Sequence, residues 1–134
     1  MNQLEAKISE IKTEGSMSLV KVMVQDCTIT SIVINNADLA NQLITGNSIK
    51  VLFKETEVML AKGFSGAISI QNKLDCTVSS FEKGELLCKI KLQFQNTSIS
   101  SVITRNAFDQ LNIQEDDVVL AMIKTNEVSL APHD

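Results

Sequence analysis

Apolar and polar residues alternate along most of this chain, in short stretches separated by polar breaks. Leu4, Ala6 and Ile8 alternate with charged residues, which is the period of a half-buried β-strand. Turn-forming residues such as Gly15 follow, and further apolar runs come after them. The pattern predicts strands over residues 4–11, 17–25, 27–34, 48–53 and 56–61.

One stretch between the third and fourth predicted strands has a different period. From Asn36 to Leu43 the apolar residues recur at helical spacing, and Asn36 is a suitable N-cap. The polar residues 45–47, which include Gly46, end this stretch. We therefore expect one short helix there.

The same order of elements occurs a second time. The segment Phe53–Ala61 returns seventy residues later as Ile123–Ala131, and the offset extends without a gap in both directions. It keeps identical pairs such as Asn2/Asn72, Lys21/Lys91, Ser31/Ser101 and Asn36/Asn106. Two copies of one unit therefore follow each other. We assign 1–64 to the first unit and 65–134 to the second, with strands predicted over 74–81, 86–95, 97–104, 117–123 and 126–131 and a helix over 106–112.

The number and order of these elements predict the fold class. Five strands with a helix before the fourth are typical of a small barrel of the oligonucleotide/oligosaccharide-binding (OB) type. The chain is thus predicted to be all-β, with two tandem OB-fold-like five-stranded barrels, each with one short helix. A unit of about 65 residues is near the lower limit for an independent core, so we expect each to pack against its twin or another chain.

Composition and charge exclude several classes of function. The net charge is −4 and Arg105 is the single arginine, which disfavours a nucleic-acid surface. No apolar run approaches a membrane span and no leader sequence is evident, so we expect a cytoplasmic protein without a membrane partner. The three cysteines lack paired spacing and are expected to be buried hydrophobes.

Catalytic groups are sparse. His133 is the only histidine and lies beside the C-terminus, so the serine and threonine hydroxyls have no base to activate them. No phosphate-binding glycine motif occurs. We therefore predict a protein that is not an enzyme and that coordinates no metal ion directly.

Lys54 and Lys124 occupy the same place in the two copies, at the end of an apolar strand. A lysine there is either an ordinary charge that protects a sheet edge or one donor in a ring of hydroxyls and amides around a small oxyanion. Taken in isolation, the first interpretation is favoured.

Three motifs recur in order in both copies. They are N-x-L (Asn2–Leu4, Asn72–Leu74), a central run of serine and mostly β-branched residues (29–33, 99–103) and the closing K-x-x-E-V-x-L-A. Together they resemble the molbindin, or Mop, unit of the TOBE family, over nearly the whole chain. The resemblance implies tandem barrels that bind molybdate or tungstate inside the cell, with oxyanion sites where units and subunits meet.

The resemblance also implies which residues hold the anion. Ser69 matches the family's serine, Gln71 replaces its usual arginine, and Lys54 and Lys124 match its closing lysine. Copy one has Glu55, whose carboxylate would repel an anion, where copy two has Thr125. Copy two is therefore predicted to carry the better site. The full predicted set is Ser69, Gln71, Asn72, Thr104, Asn106, Lys124, Thr125, Lys54 and Asn36.

Three functions remain open from the sequence. The first is storage and homeostasis of molybdate or tungstate, bound by lysines, hydroxyls and backbone amides without an organic cofactor. The second is a molybdate-sensing effector module that regulates a DNA-binding or transporter partner, and the third is a barrel that has lost its ligand. For all three, the resemblance favours a homo-oligomer, with a trimer preferred.

Overall fold

The computed structural model describes residues 1–34 and 39–133. The chain forms two compact units: unit 1 comprises Met1–Phe53 and the segment that starts at Lys124, and unit 2 comprises Lys54–Ile123. The strands of unit 1 are β1 (Asn2–Glu14), β2 (Met17–Val24), β3 (Cys27–Ile34), β4 (Ser48–Phe53) and β10 (Ser129–Pro132). Unit 2 contains β5 (Met59–Ala61), β6 (Asn72–Lys83), β7 (Leu87–Phe94), β8 (Thr97–Thr104), α1 (Arg105–Leu111) and β9 (Val118–Ile123).

Each unit is built on one five-stranded antiparallel sheet. The strand order is β10-β4-β1-β2-β3 in unit 1 and β5-β9-β6-β7-β8 in unit 2. A register shift at Ser9 in β1 recurs at Ser79 in β6, and such a bulge increases the local bend and twist of a strand. The long first strand of each sheet can therefore curl and pair with a different neighbour along each half.

The alternation in the sequence predicts the core correctly. Leu4, Ala6 and Ile8 are buried, while the intervening Glu5 and Lys7 are exposed. The predicted fold, tandem OB-like five-stranded sheets, is confirmed. Val, Ile and Leu fill most of the interior, joined by Phe53, Phe94 and Phe108, and β-branched side chains pack well on a pleated sheet.

The predicted helices have different outcomes. The second is present as α1, which begins after the N-cap Thr104 and ends at Asn112 in the left-handed conformation, φ 49°. For the first, residues 35–38, including Asn36, lie outside the described part of the chain. Residues 39–42 form turns, and the Leu43 N–H donates a 3.1 Å hydrogen bond to the Leu39 carbonyl oxygen.

We call the last strand of each sequence copy its closing strand: β5 in copy one and β10 in copy two. Both are shorter than predicted because a tight turn precedes each one. In copy one, Glu55–Glu57 form a single 3₁₀ turn, in which Glu57 Oε1 accepts a 2.9 Å bond from the Lys54 N–H. In copy two, the Glu127 N–H bonds the Lys124 carbonyl oxygen at 2.9 Å. These bonds divert the backbone from sheet pairing until residues 59 and 129.

The compact units and the sequence copies differ in their last element. The copy-one closing strand, β5, pairs with β9 of copy two, and the copy-two closing strand, β10, pairs with β4 of copy one. Each sheet thus takes four strands from one copy and its fifth from the other. Nothing in the alternation of a three- or four-residue strand selects which of two similar sheets it joins. The division of the sequence at residues 64 and 65 stays a prediction about the repeat.

Candidate functional site

The segment that precedes each closing strand is fixed by a buried serine. In unit 2, Ser101 Oγ donates a 2.8 Å hydrogen bond to the Val58 carbonyl oxygen. In unit 1, Ser31 Oγ donates to the Val128 carbonyl oxygen at 2.6 Å. Both serines are fully buried, so these bonds satisfy carbonyl groups that have no water nearby. The segments that carry Lys54 and Lys124 are therefore held against β8 and β3.

In unit 2 this arrangement places Lys54 in the same compact unit as Thr104. The 3₁₀ turn that follows Lys54 packs on β8, the strand that ends at Thr104. Thr104 Oγ1 accepts a 3.0 Å bond from the Ala107 N–H as the cap of α1, which leaves the threonine O–H available as a donor. Lys54, Thr104 and Asn106 are all exposed.

Glu55 does not stand alone beside Lys54. Its Oε2 lies 3.3 Å from Lys89 Nζ on β7, and the Glu55 side chain is 27% exposed. The carboxylate that was expected to repel an anion thus has an opposite charge beside it. Lys89 lies in none of the three motifs. The sequence offers one indication of its role: copy one has Leu19 at the corresponding position, so this charge occurs only in copy two.

In unit 1 the corresponding segment carries Lys124 and Thr125. The Ile32 N–H donates a 3.1 Å hydrogen bond to the Thr125 carbonyl oxygen, which sets this segment against β3. Ile34 is two residues further along the strand, or about 7 Å, and the residue is 58% exposed. Unit 1 therefore presents Lys124 with an apolar residue at the position that Thr104 occupies in unit 2.

Three further predicted residues fall into unit 2. Ser69 and Gln71 are exposed in the segment that leads into β6, and Asn72 is buried at the first position of β6, 1% exposed. Asn36 lies outside the described residues. The site predicted for copy two draws on residues of both units, since Lys124 and Thr125 belong to unit 1 while Ser69 and Thr104 belong to unit 2. Their joint role in one site stays a prediction.

Two cations of unit 2 are committed to other partners. Arg105 Nε contacts Asp109 Oδ1 at 3.1 Å, and its Nη1 donates to the Gly84 carbonyl oxygen at 3.3 Å. Lys62 Nζ lies 2.8 Å from Asp117 Oδ2 and 2.7 Å from the Asn112 carbonyl oxygen. The hydrogen bond from Lys62, together with one from the Gln114 N–H, holds the pKa of Asp117 below its ordinary value.

A surface cavity lies elsewhere in unit 1. It has a volume of about 470 Å³, and its lining includes Lys7, Ser48 and His133. His133 Nε2 lies 3.0 Å from Glu5 Oε2, so the C-terminal histidine has a carboxylate partner. The described lining residues include none of the predicted oxyanion set. Within the described ranges, no three His, Cys, Asp or Glu side chains are grouped to hold a metal ion, and no helix is long and apolar enough to cross a membrane.

The fold and these lysine-bearing segments define a tandem OB-like β protein. Its family follows from a direct match: the TOBE domain model matches residues 1–60 and again residues 68–130. The chain therefore belongs to the TOBE domain family, with two domains in tandem, which confirms the resemblance seen in the sequence.

Two kinds of relative are similar to this chain. Over 84 residues it is 30% identical to the molybdenum import ATP-binding proteins ModC of Brucella abortus, Brucella suis and Brucella melitensis. That match covers 62% of this chain and only 23% of the length of these relatives. A solved structure of the cytoplasmic molybdate-binding protein ModG, with molybdate bound, has a TM-score of 0.88 over 96% of this chain and 94% of that chain. Its sequence identity is 24%, so this likeness shows the fold.

Proposed function

We propose that this chain binds a tetrahedral metal oxyanion, molybdate or tungstate, without catalysing a reaction. The observation that carries the proposal is the pair of TOBE domains that together occupy residues 1–60 and 68–130. The likeness to ModG, which is described with molybdate bound, and the similarity to the molybdenum importers ModC support the same ligand class.

The donors of unit 2 suit a doubly charged anion. Lys54 offers an ammonium group and Thr104 a hydroxyl that is free to donate, and hydrogen bonds from charged donors are the stronger ones. The partner Lys89 offsets the charge of Glu55. We infer that Lys54 and Thr104, with Ser69 and Asn106, form the oxyanion site of unit 2, and that Gln71 and Asn72 support it.

The site of unit 1 has fewer side-chain donors. Lys124 and Thr125 supply a cation and a hydroxyl, whereas Ile34 supplies none. Here backbone amides must provide the remaining hydrogen bonds, and Asn36 is the candidate for a further side-chain donor. We infer that unit 1 binds the anion more weakly than unit 2, because a desolvated dianion needs donors from several directions.

The biological role we propose is storage and homeostasis of the anion in the cytoplasm. A homo-oligomer, with a trimer favoured, would complete sites at the edges of the units, in keeping with the small size of each core. No organic cofactor, nucleic acid or membrane is part of this proposal.

Calorimetric titration tests the ligand. Wild-type protein is titrated with molybdate, tungstate and sulfate at equal ionic strength, and its mass in solution is measured by light scattering. We expect saturable binding of the two metal oxyanions and at least about tenfold weaker binding of sulfate, because the smaller ion leaves donors unsatisfied. Absence of molybdate binding by the assembled protein would identify a barrel that has lost its ligand.

A second role is favoured by one comparison. The match to ModC covers a minor part of an ATP-binding import protein, so the same domain type occurs within a transporter component. The chain would then sense the anion and pass its state to a DNA-binding or transporter partner. Affinity capture from lysate with and without molybdate distinguishes the roles, since a sensor retains such a partner in an anion-dependent manner and a storage protein does not.

A further inference from the structure

The backbone pairing of the closing strands is the same in both sheets. Leu60 lies opposite Ala121 in unit 2, and Leu130 lies opposite Val51 in unit 1, which is the same register shifted by seventy residues. The buried serine bonds to residues 58 and 128 follow the same relation. If each copy closed its own sheet, this register would offer the same backbone and serine bonds. These contacts therefore do not select the partner.

Two ion pairs break that equality. Lys89 of copy two contacts Glu55 on the closing segment of copy one, at 3.3 Å. Lys62, directly after the copy-one closing strand, contacts Asp117 of copy two at 2.8 Å. Lys62 also donates to the Asn112 carbonyl oxygen at the end of α1, at 2.7 Å. Both pairs join the closing segment of copy one to the body of copy two.

At the two corresponding positions, both among the described residues, copy one offers this segment no charged partner. Lys89 corresponds to Leu19, and Asp117 corresponds to Asn47. If copy one closed its own sheet, Glu55 would face a leucine and Lys62 would face a neutral amide.

The closing segment of copy two likewise lacks charges that could pair with Lys89 and Asp117 in the body of copy two. Glu55 corresponds to Thr125, and Lys62 corresponds to Pro132. If copy two closed its own sheet, Lys89 and Asp117 would thus lose their ion-pair partners. Glu55 and Lys62 of copy one would lose theirs at the same time.

We propose that the Glu55–Lys89 and Lys62–Asp117 pairs specify the exchange of closing strands, so that copy one closes copy two and copy two closes copy one. The side chains of Lys62 and Asp117 are 30% and 20% exposed, and those of Lys89 and Glu55 are 53% and 27% exposed. Pairs this accessible are individually weak. They suffice here because they decide between two arrangements with matching backbone bonds.

Paired cysteines report which sheet the copy-one strand joins. Ala61 lies opposite Leu120 in the exchanged arrangement and, by the register of β10, would lie opposite Lys50 after self-closure. One reporter carries Ala61→Cys with Leu120→Cys, and the other carries Ala61→Cys with Lys50→Cys. Both are made with the half-buried Cys27 replaced by serine. Directly opposite residues are within reach of a disulfide.

Each reporter is unfolded, refolded and mildly oxidised, and the linked peptides are quantified by mass spectrometry. The ratio of the two links compares the linked fraction of the first reporter with the linked fraction of the second. With the native charges we expect the 61–120 fraction to be much the larger. Glu55→Thr with Thr125→Glu moves the acidic group to the other closing segment, and Lys62→Ala removes the second pair. In that triple variant the ratio of 61–120 to 61–50 links should fall about tenfold, the scale of two such ion pairs.

Three further variants make the test specific. Glu10→Thr with Lys21→Ala removes an exposed pair at 3.3 Å that involves no closing segment, and it must leave the ratio unchanged. Glu55→Lys with Lys89→Glu reverses one pair and must restore the native ratio, whereas Glu55→Lys alone must lower it. A ratio that stays the same in both the triple variant and Glu55→Lys overturns the proposal, as does a dominant 61–50 link with the native charges.

Discussion

Ser101 and Val58 are joined by a 2.8 Å hydrogen bond from a hydroxyl that is fully buried to a backbone carbonyl oxygen. The two residues come from different sequence copies, since Val58 belongs to the closing segment of copy one. This bond, with its counterpart between Ser31 and Val128, holds the lysine-bearing segments in place.

Replacing Ser101 by alanine should destabilise the protein. The Val58 carbonyl oxygen would lose its partner in a site that water does not reach, which costs about 1–3 kcal/mol. Denaturant unfolding of Ser101→Ala measures this cost. The matched control is Ser98→Ala, an exposed position on the same strand, where a change within about 0.5 kcal/mol is expected. Equal changes in the free energy of unfolding for the two variants would show that the buried hydrogen bond does not stabilise the protein.

The two closing lysines should both contribute to anion affinity. Loss of one charged donor is expected to weaken molybdate binding by at least about tenfold at the affected site. Lys54→Ala and Lys124→Ala are each titrated by calorimetry, and Lys124→Ala is expected to remove most uptake by the unit 1 site. Lys91→Ala, an exposed lysine on β7, should bind like the wild type. Wild-type binding by both closing-lysine variants would refute the assigned sites.

Thr104 combines a structural role with a proposed binding role, and two substitutions separate them. Thr104→Ala removes the N-cap of α1 and should cost about 1 kcal/mol of stability as well as affinity. Thr104→Asp keeps a cap acceptor for the Ala107 N–H but places a negative charge beside the anion. We expect near-normal thermal stability and abolished molybdate binding in Thr104→Asp. Retained binding in that variant would place the anion away from Thr104.

Gln71 occupies the position where the family resemblance expects an arginine. The side chain is exposed in the segment before β6, so a larger group can be accommodated. Gln71→Arg should tighten molybdate binding by about tenfold, because guanidinium groups make charge-assisted bonds to oxyanions. Gln93→Arg, exposed on β7, adds the same charge at a distant position and tests for a general electrostatic effect. Similar gains from both substitutions would exclude a specific role for position 71.

The Lys62–Asp117 pair should make stability dependent on pH in acid. Lys62, and then the Gln114 N–H, lower the pKa of Asp117 in the folded protein. A carboxyl with a depressed folded pKa stabilises the protein above its unfolded pKa, about 3.9 for aspartate, and that contribution is lost as the pH falls through the folded pKa. Asp117→Asn should therefore lower the unfolding temperature at pH 7, and its difference from the wild type should begin to shrink below about pH 4.

Lys62→Ala provides the control for that titration, because it removes the partner and leaves the carboxyl in place. Its difference from the wild type should also shrink in acid. A difference between Asp117→Asn and the wild type that is constant from pH 3 to pH 7 would contradict the assignment.

The fold was accessible from the sequence because burial on a sheet imposes a period of two. Leu4, Ala6 and Ile8 are inside because their side chains share one face of β1. The helix α1 was also predicted from the repeat, although its N-cap is Thr104 and Asn106 lies inside its first turn. The turns at Glu55–Glu57 and after Lys124 occupy positions that were predicted as strand, because a single hydrogen-bonded turn has no periodic signature in the sequence.

The candidate site was accessible only in part. The sequence predicted roles for Lys54, Lys124 and Thr104 through the repeat and the family resemblance, but it grouped them by copy. The pairing of Glu55 with Lys89 escaped notice because it joins positions 34 residues apart in different copies.

By itself the sequence determined that the chain is duplicated, that each copy alternates as five short strands, and that the same lysine precedes each closing strand. Only the tertiary structure decided which sheet each closing strand completes, and hence that Lys54 shares a unit with Thr104 and Lys124 shares one with Ile34. The physical reason is that two similar sheets offer a three- or four-residue strand the same backbone hydrogen bonds. The choice between them depends on side chains that meet only after folding.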